Sequence, residues 1–190
     1  MRFLAALAVL VFPLTVHSDS PAKPPVDLKS IAETSRSAKP KPTQVVSFKK
    51  LLSFLPPVPE GWTAEKPGGS VTDLGKGLRL SEATRTYIKG EDQSAAVTKV
   101  TIIDAGGRKE YFAMITAKWK GAQTEDGYDK VVEIDGMPGF EHFSKAIHGG
   151  SLSVFVANRF FVQVDISNQD LRALREWLQK IDLKKLAVLR

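Results

Sequence analysis

Residues 151–181, SLSVFVANRFFVQVDISNQDLRALREWLQKI, constrain the fold more than any other stretch of this 190-residue chain. Leu152, Val154 and Val156 alternate with Ser151, Ser153 and Phe155; Phe160, Val162, Val164 and Ile166 then alternate with Phe161, Gln163 and Asp165. A period of two puts one set of side chains on a core and the other set on the opposite face of a sheet. A two-residue loop would set Val154 against Gln163 and mix those faces. A three-residue loop, Ala157-Asn158-Arg159, pairs Val156 with Phe160, Val154 with Val162 and Leu152 with Val164. The spacing therefore predicts the odd-numbered loop, with positive φ at Asn158. Ser167 or Asn168 is expected to cap a closing helix that has Asp170 in its first turn and buries Leu171, Leu174, Leu178 and Ile181.

Ahead of this stretch, Ser47 starts a short helix with Phe48, Leu51, Leu52 and Leu55 on one face, stopped by Pro56, Pro57 and Pro59. Pro59-Glu60-Gly61-Trp62 turns the chain and delivers Trp62 to the end of a core. Residues 63–77 read as a Gly- and Lys-rich loop with at most a short extended piece. Strands follow over Leu78–Lys89 and Ala95–Ala105, with Gly90-Glu91-Asp92 between them. Residues 108–120 read as a helix with Tyr111, Phe112, Ile115 and Trp119 on one side, closed by Gly121. Tyr128–Ile134 and residues 137–147 form a hairpin about Asp135-Gly136, a dipeptide suited to the positive φ values of a type I′ turn. Pro138 places the returning strand at an edge or bulge. Asp182–Arg190 is a last helical turn folding Leu183, Leu186 and Leu189 back. The expected fold is α+β: one largely antiparallel sheet of about six strands flanked by helices, a sandwich.

The front of the chain differs in kind. Arg2 precedes an apolar run, Phe3–Val16, and Val16-His17-Ser18 offers a signal-peptidase site, so residues 1–18 read as a signal peptide cleaved after Ser18. The run is shorter than the roughly 20 residues that span a bilayer. Residues 19–44 contain five prolines and read as a partly extended basic linker, which leaves 45–190 as the single α+β domain. Cysteine is absent, which excludes disulfides, zinc–thiolate sites, a cysteine nucleophile and a diacylglyceryl anchor. A periplasmic or secreted bacterial protein is the expectation.

Net charge is +6, but its location matters more than its size. Residues 19–50 hold seven Lys or Arg against three acids, whereas 51–190 hold nineteen against eighteen. A near-neutral domain without a basic face argues against nucleic acid as a partner. The linker alone has the charge to touch an anionic membrane surface. Gly75-Lys76-Gly77 is no phosphate loop, because no Ser or Thr follows the lysine and a strand, not a helix, comes next. Glu125-Asp126-Gly127-Tyr128-Asp129 lacks the oxygen spacing of a calcium loop. His142 and His148, six apart in an extended run, lie about 20 Å from each other and cannot share a metal. No Gly-x-Ser-x-Gly elbow accompanies the serines near them, and no spacing pairs two carboxylates across a cleft. No enzyme and no cofactor is expected.

The element order, with Pro59-Glu60-Gly61-Trp62 before the first strand and Phe160–Ile181 as last strand and helix, resembles the PsbP-like fold over about residues 58–182. That group includes extrinsic photosystem subunits and exported bacterial lipoproteins; the missing lipobox cysteine departs from the latter. The resemblance implies a non-enzymatic binding or assembly role. The expected partner is another envelope protein, with a small or amphiphilic ligand held between sheet and helix as the alternative and a hydrolase behind both. The face opposite the core carries Ser153, Phe155, Phe161, Gln163 and Asp165, extended by Lys99 and Thr101 if their strand lies alongside. The helix bearing Trp119 is its natural cover. Lys99, Gln163 and Asp165 would then give a binding groove its direction, and Phe161 and Trp119 its contact area.

Overall fold

In a computed structural model, the residues described are 44–190, Lys76 excepted. The expected signal peptide, residues 1–18, and nearly all of the expected linker, 19–44, lie outside the described residues. The chain runs α1 (Phe48–Leu52), β1 (Thr63–Ala64), β2 (Gly68–Asp73), β3 (Arg79–Lys89), β4 (Ala96–Asp104), α2 (Lys109–Thr116), β5 (Ala122–Thr124), β6 (Gly127–Ile134), β7 (Met137–Ser144), β8 (Gly149–Val156), β9 (Phe160–Ser167), α3 (Arg172–Leu178) and α4 (Leu183–Ala187). All strands join one antiparallel sheet in the order β1-β3-β4-β9-β8-β7-β6-β5, with β2 beside β1 on the same edge of β3. The fold is largely β: an open sheet with a few short helices.

The β8–β9 hairpin has the register that the apolar alternation requires. Val156 pairs with Phe160, Val154 with Val162 and Leu152 with Val164, while Gln163 meets Ser153. Positive φ falls at Ala157 as well as Asn158, 52° at each, and Arg159 N–H closes the turn on Val156 O at 3.0 Å. The core forms on the face so defined. Val100, Ile102, Leu152, Val154, Val162 and Val164 are fully buried there beneath Leu51 of α1, Leu174 and Leu178 of α3, and Leu186 of α4. Trp177 of α3 lies edge-on to Trp62, ring centroids 5.0 Å apart, and 4.6 Å from Tyr87, so Trp62 does seal the core's end. The Tyr87 hydroxyl donates to Pro56 O at 2.6 Å and holds the proline segment against the sheet.

Two acids are buried on this face, Asp104 at its end and Glu141 further along. Glu141 is 1% exposed. Its Oε1 accepts from Tyr128 Oη at 2.6 Å and Lys130 Nζ at 2.9 Å, and its Oε2 from Arg175 Nη2 at 2.9 Å. Burial by itself would raise the Glu141 carboxyl. The hydrogen bonds from Tyr128 and Lys130, with the Lys130 and Arg175 charges, outweigh it and hold the group below the usual carboxylate range.

Several sequence expectations need correction. Nine strands form instead of about six. The six long ones are those anticipated, and the additions are short edge strands. Thr63–Asp73 is one edge segment that pairs with β3 on both sides of a bulge: three residues, 65–67, face two on the partner. Pro138 is not on an edge strand. β7 lies between β6 and β8, but its pairing with β8 begins at Gly139, so the missing N–H breaks no ladder bond there. That strand stops at Ser144, and His148, at φ 42°, belongs to the following turn. α2 ends at Thr116 with Ala117 as its C-cap, not at Gly121. α3 begins after Leu171: neither Ser167 nor Asn168 caps it, and Asp170 Oδ1 instead accepts Arg172 N–H at 2.9 Å. Asn168, at φ 55°, donates to Gln93 O and Ala95 O and pins the β3–β4 turn.

Leu178 is 3% exposed within the first core. Leu178→Ala should lower unfolding stability by about 2–5 kcal/mol in denaturant titration, transfer plus cavity. A loss under about 1 kcal/mol, the level of a surface change, would mean that α3 contributes little to this core.

Candidate functional site

The opposite face of the sheet is covered over only part of its length. α2 has eight residues, about 12 Å at helical rise, whereas β8 and β9 run about 26 Å each. The helix and the turn after it cover the end nearest the β8–β9 loop. Tyr111 and Trp119 are buried there with Ala105, Phe155 and Phe161, and Phe112, Ile115, Ile103, Val131 and Phe140 pack round them. The Phe112 and Phe155 rings meet edge-on at 4.8 Å, Phe155 and Phe161 are tilted to each other at 5.2 Å, and Trp119 stacks on Phe140 at 5.5 Å. This second cluster is packed with rings.

Beyond it the same face turns polar. The ladders align Thr84, Thr101, Gln163 and Ser153 on successive strands β3, β4, β9 and β8, and then Thr86, Lys99, Asp165, Ser151, His142 and Asp129 across all six strands from β3 to β6. Thr84 and Thr101 join through their hydroxyls at 3.2 Å, and His142 Nδ1 lies 2.6 Å from Asp129 Oδ1. Gln163 Nε2 donates to Asp165 Oδ1 at 2.7 Å. Lys99 is exposed directly across the ladder from Asp165, yet no ion pair joins them among the described residues.

Asp165 is therefore the opposite of Glu141. Burial pushes its carboxyl above the ordinary aspartate value; the Gln163 hydrogen bond and the Lys99 charge offset this only in part. Its ionised form sits in surroundings that favour the proton. Asp129, the other carboxylate of the row, lies three strands away, about 14 Å, too far to act with Asp165 as a hydrolytic pair.

Of the residues singled out in the sequence, Lys99, Gln163 and Asp165 are brought together, and β4 lies where their grouping required. Phe161 and Trp119 are not available beside them: each is 7% exposed, inside the second cluster. The two act as the closed end of the face, where both pack on Phe155 within the ring cluster. They also fill the space between α2 and the sheet. Ser151, His142 and Asp129 were not assigned to the row beforehand. The signal was present, because counting back from the Asp135-Gly136 turn sets Asp129 against His142, and counting back from the Ala157–Arg159 loop sets Ser151 against Asp165.

A raised carboxyl pKa in the folded state makes the contribution of Asp165 to stability greatest below its unfolded value, about 3.9, and smaller as pH rises through the folded value. Asp165→Asn should therefore be more stable than the parent at pH 7, with the gain disappearing below about pH 4, where the parent is also neutral. Chemical denaturation at a series of pH values checks this. A variant less stable at pH 7 would show that the ionised carboxylate is favourably held.

No protein-family model, no curated protein and no solved structure matches this chain, so the reading of the site rests on its geometry.

Proposed function

We propose that this protein is a non-enzymatic binding or assembly module of the bacterial envelope, exported by its N-terminal signal and engaging another protein through the open half of the second sheet face. The observation that carries the reading is the row Thr86-Lys99-Asp165-Ser151-His142-Asp129, left uncovered beyond α2 with a carboxylate whose surroundings disfavour its charge. Retaining such a group lowers stability, and a partner that brings a donor or a cation to it recovers the loss on binding. Hydroxyl, amide and charged groups in register along six strands suit a flat, hydrogen-bonding protein contact. The PsbP-like resemblance implies the same kind of role. The proline-rich linker would hold the domain away from its point of attachment or release.

A photo-crosslinking amino acid at Ser151, with a control at Lys184 of α4 on the other side of the sheet, tests the reading in the native envelope. A discrete adduct is expected from position 151 and not from 184. Asp165→Ala with Gln163→Ala should reduce it at least about tenfold, the effect of losing about 1.4 kcal/mol of contact energy, while the fold persists. Equal adducts from both positions, or an adduct indifferent to the double substitution, would contradict the proposal.

A further inference from the structure

Away from the open face, at the end of the sheet where the chain enters, lies a cavity of about 220 Å³. It is formed by Gln44 and Val45, the turns at Gly77 and Gly106, and the side chains of Arg79 and Arg108. Among the described residues its lining includes two arginines and no acid. One of the two is held in place. Arg108 Nη2 donates to Gly77 O at 2.8 Å, and the turn that presents this carbonyl is closed by Leu78 N–H on Gly75 O at 2.9 Å. Gly77 suits this turn through its φ of +73°, and the Arg108 guanidinium end lies 2.9 Å from where a Cβ would stand. Among the described residues the remaining N–H groups of that guanidinium make no hydrogen bond.

The nearby acids are already engaged. Asp73, which pairs with Arg79 across the ladder, accepts Gly75 N–H on Oδ1 at 2.8 Å, and Arg79 makes no ion pair among the described residues. Asp104, which bounds the floor through Gly106 N–H, is neutralised by Arg159. Arg79 and Arg108 thus bring two positive charges to the lining, with the one acid opposite Arg79, Asp73, turned to the Gly75 amide. Arginine forks bind planar or tetrahedral oxyanions through paired N–H donors. A dianion balances both cations, whereas a single carboxylate leaves one unpaired.

We propose that this cavity binds a phosphate-type dianion, a phosphate group free or carried on a larger molecule, between Arg79 and Arg108. The site is independent of the polar row on the open face. It owes nothing to a phosphate loop, since the Gly75–Gly77 turn serves by aiming Arg108 and not by wrapping the anion in backbone amides.

Calorimetric titration with inorganic phosphate at pH 8, against chloride of equal ionic strength, tests it on the mature protein. Saturable binding is expected, weakened at least about tenfold in Arg79→Gln/Arg108→Gln and weakened again as the pH is lowered and the phosphate dianion takes up its second proton. Acetate should bind at least about tenfold more weakly than phosphate. Glycerol 3-phosphate and vesicles containing phosphatidate then distinguish a soluble source from a lipid headgroup, and arginine-dependent binding of either supports the site. Arg79→Gln alone, which removes an exposed side chain with no ion pair, keeps the test decisive should the double variant not fold. No saturable response at about 10 mM phosphate, a response unchanged in the arginine variants, or acetate binding as tightly as phosphate would overturn the proposal.

Discussion

A buried ion pair between Arg159 and Asp104 ties together parts of the chain that the sheet alone would leave loose. Arg159 is the last loop residue before β9, Asp104 ends β4, and both are nearly inaccessible, 6% and 0% exposed. Nε and Nη2 of Arg159 donate to the two carboxylate oxygens at 2.9 and 2.8 Å. The carboxylate also accepts Val46 N–H at 2.7 Å and Gly106 N–H at 2.8 Å, while the guanidinium reaches Gln44 O at 3.2 Å and Leu189 O at 3.5 Å. The segment before α1, the turn into α2 and the chain's end are all fastened to it. Desolvating two charges is expensive, and near-complete hydrogen bonding of both groups is what makes the arrangement tolerable. The Phe160 ring lies under the guanidinium at 5.1 Å and shields it further.

With that end fixed, the sheet's two faces divide the work. The first carries the aliphatic core under α1, α3 and α4, and its other buried acid, Glu141, is saturated by three donors. The second is closed by aromatic rings near the ion pair and opens toward the other end of β9, where α2 is too short to reach. Stability concentrated on the first face lets the second keep Asp165, whose ionised form is disfavoured by its burial. Polar groups held at a cost beside an exposed lysine are better suited to recognition than to packing, and the proposed binding role follows from that asymmetry.

Much of this architecture was legible in the sequence because strict alternation admits few alternatives. The alternation of Leu152–Val156 with Phe160–Ile166 determines loop length, register and core face, and the Asp135-Gly136 turn does the same for β6 and β7. What was hidden obeys other constraints. β2 and β5 are exposed along their whole length, so no apolar period marks them. Trp119 and Phe161 looked available because their burial depends on α2 folding over the sheet, a contact between segments far apart in sequence. Arg159 read as an ordinary loop residue, and its partner is 55 positions away. Asp170 took the place of Ser167 and Asn168 because Asn168 was already committed to the β3–β4 turn.

The central claim is that this ion pair, and not the apolar faces alone, closes the end of the sheet. Asp104→Asn keeps the shape of the side chain and leaves the Arg159 charge buried without its counter-ion. Equilibrium unfolding read together with amide hydrogen exchange tests the claim most directly. The account predicts a loss of about 3–5 kcal/mol, with the Val46 and Gly106 amides losing protection in the native state while those of the β8–β9 hairpin keep it. A loss below about 1 kcal/mol, with both amides as protected as in the parent, would contradict it.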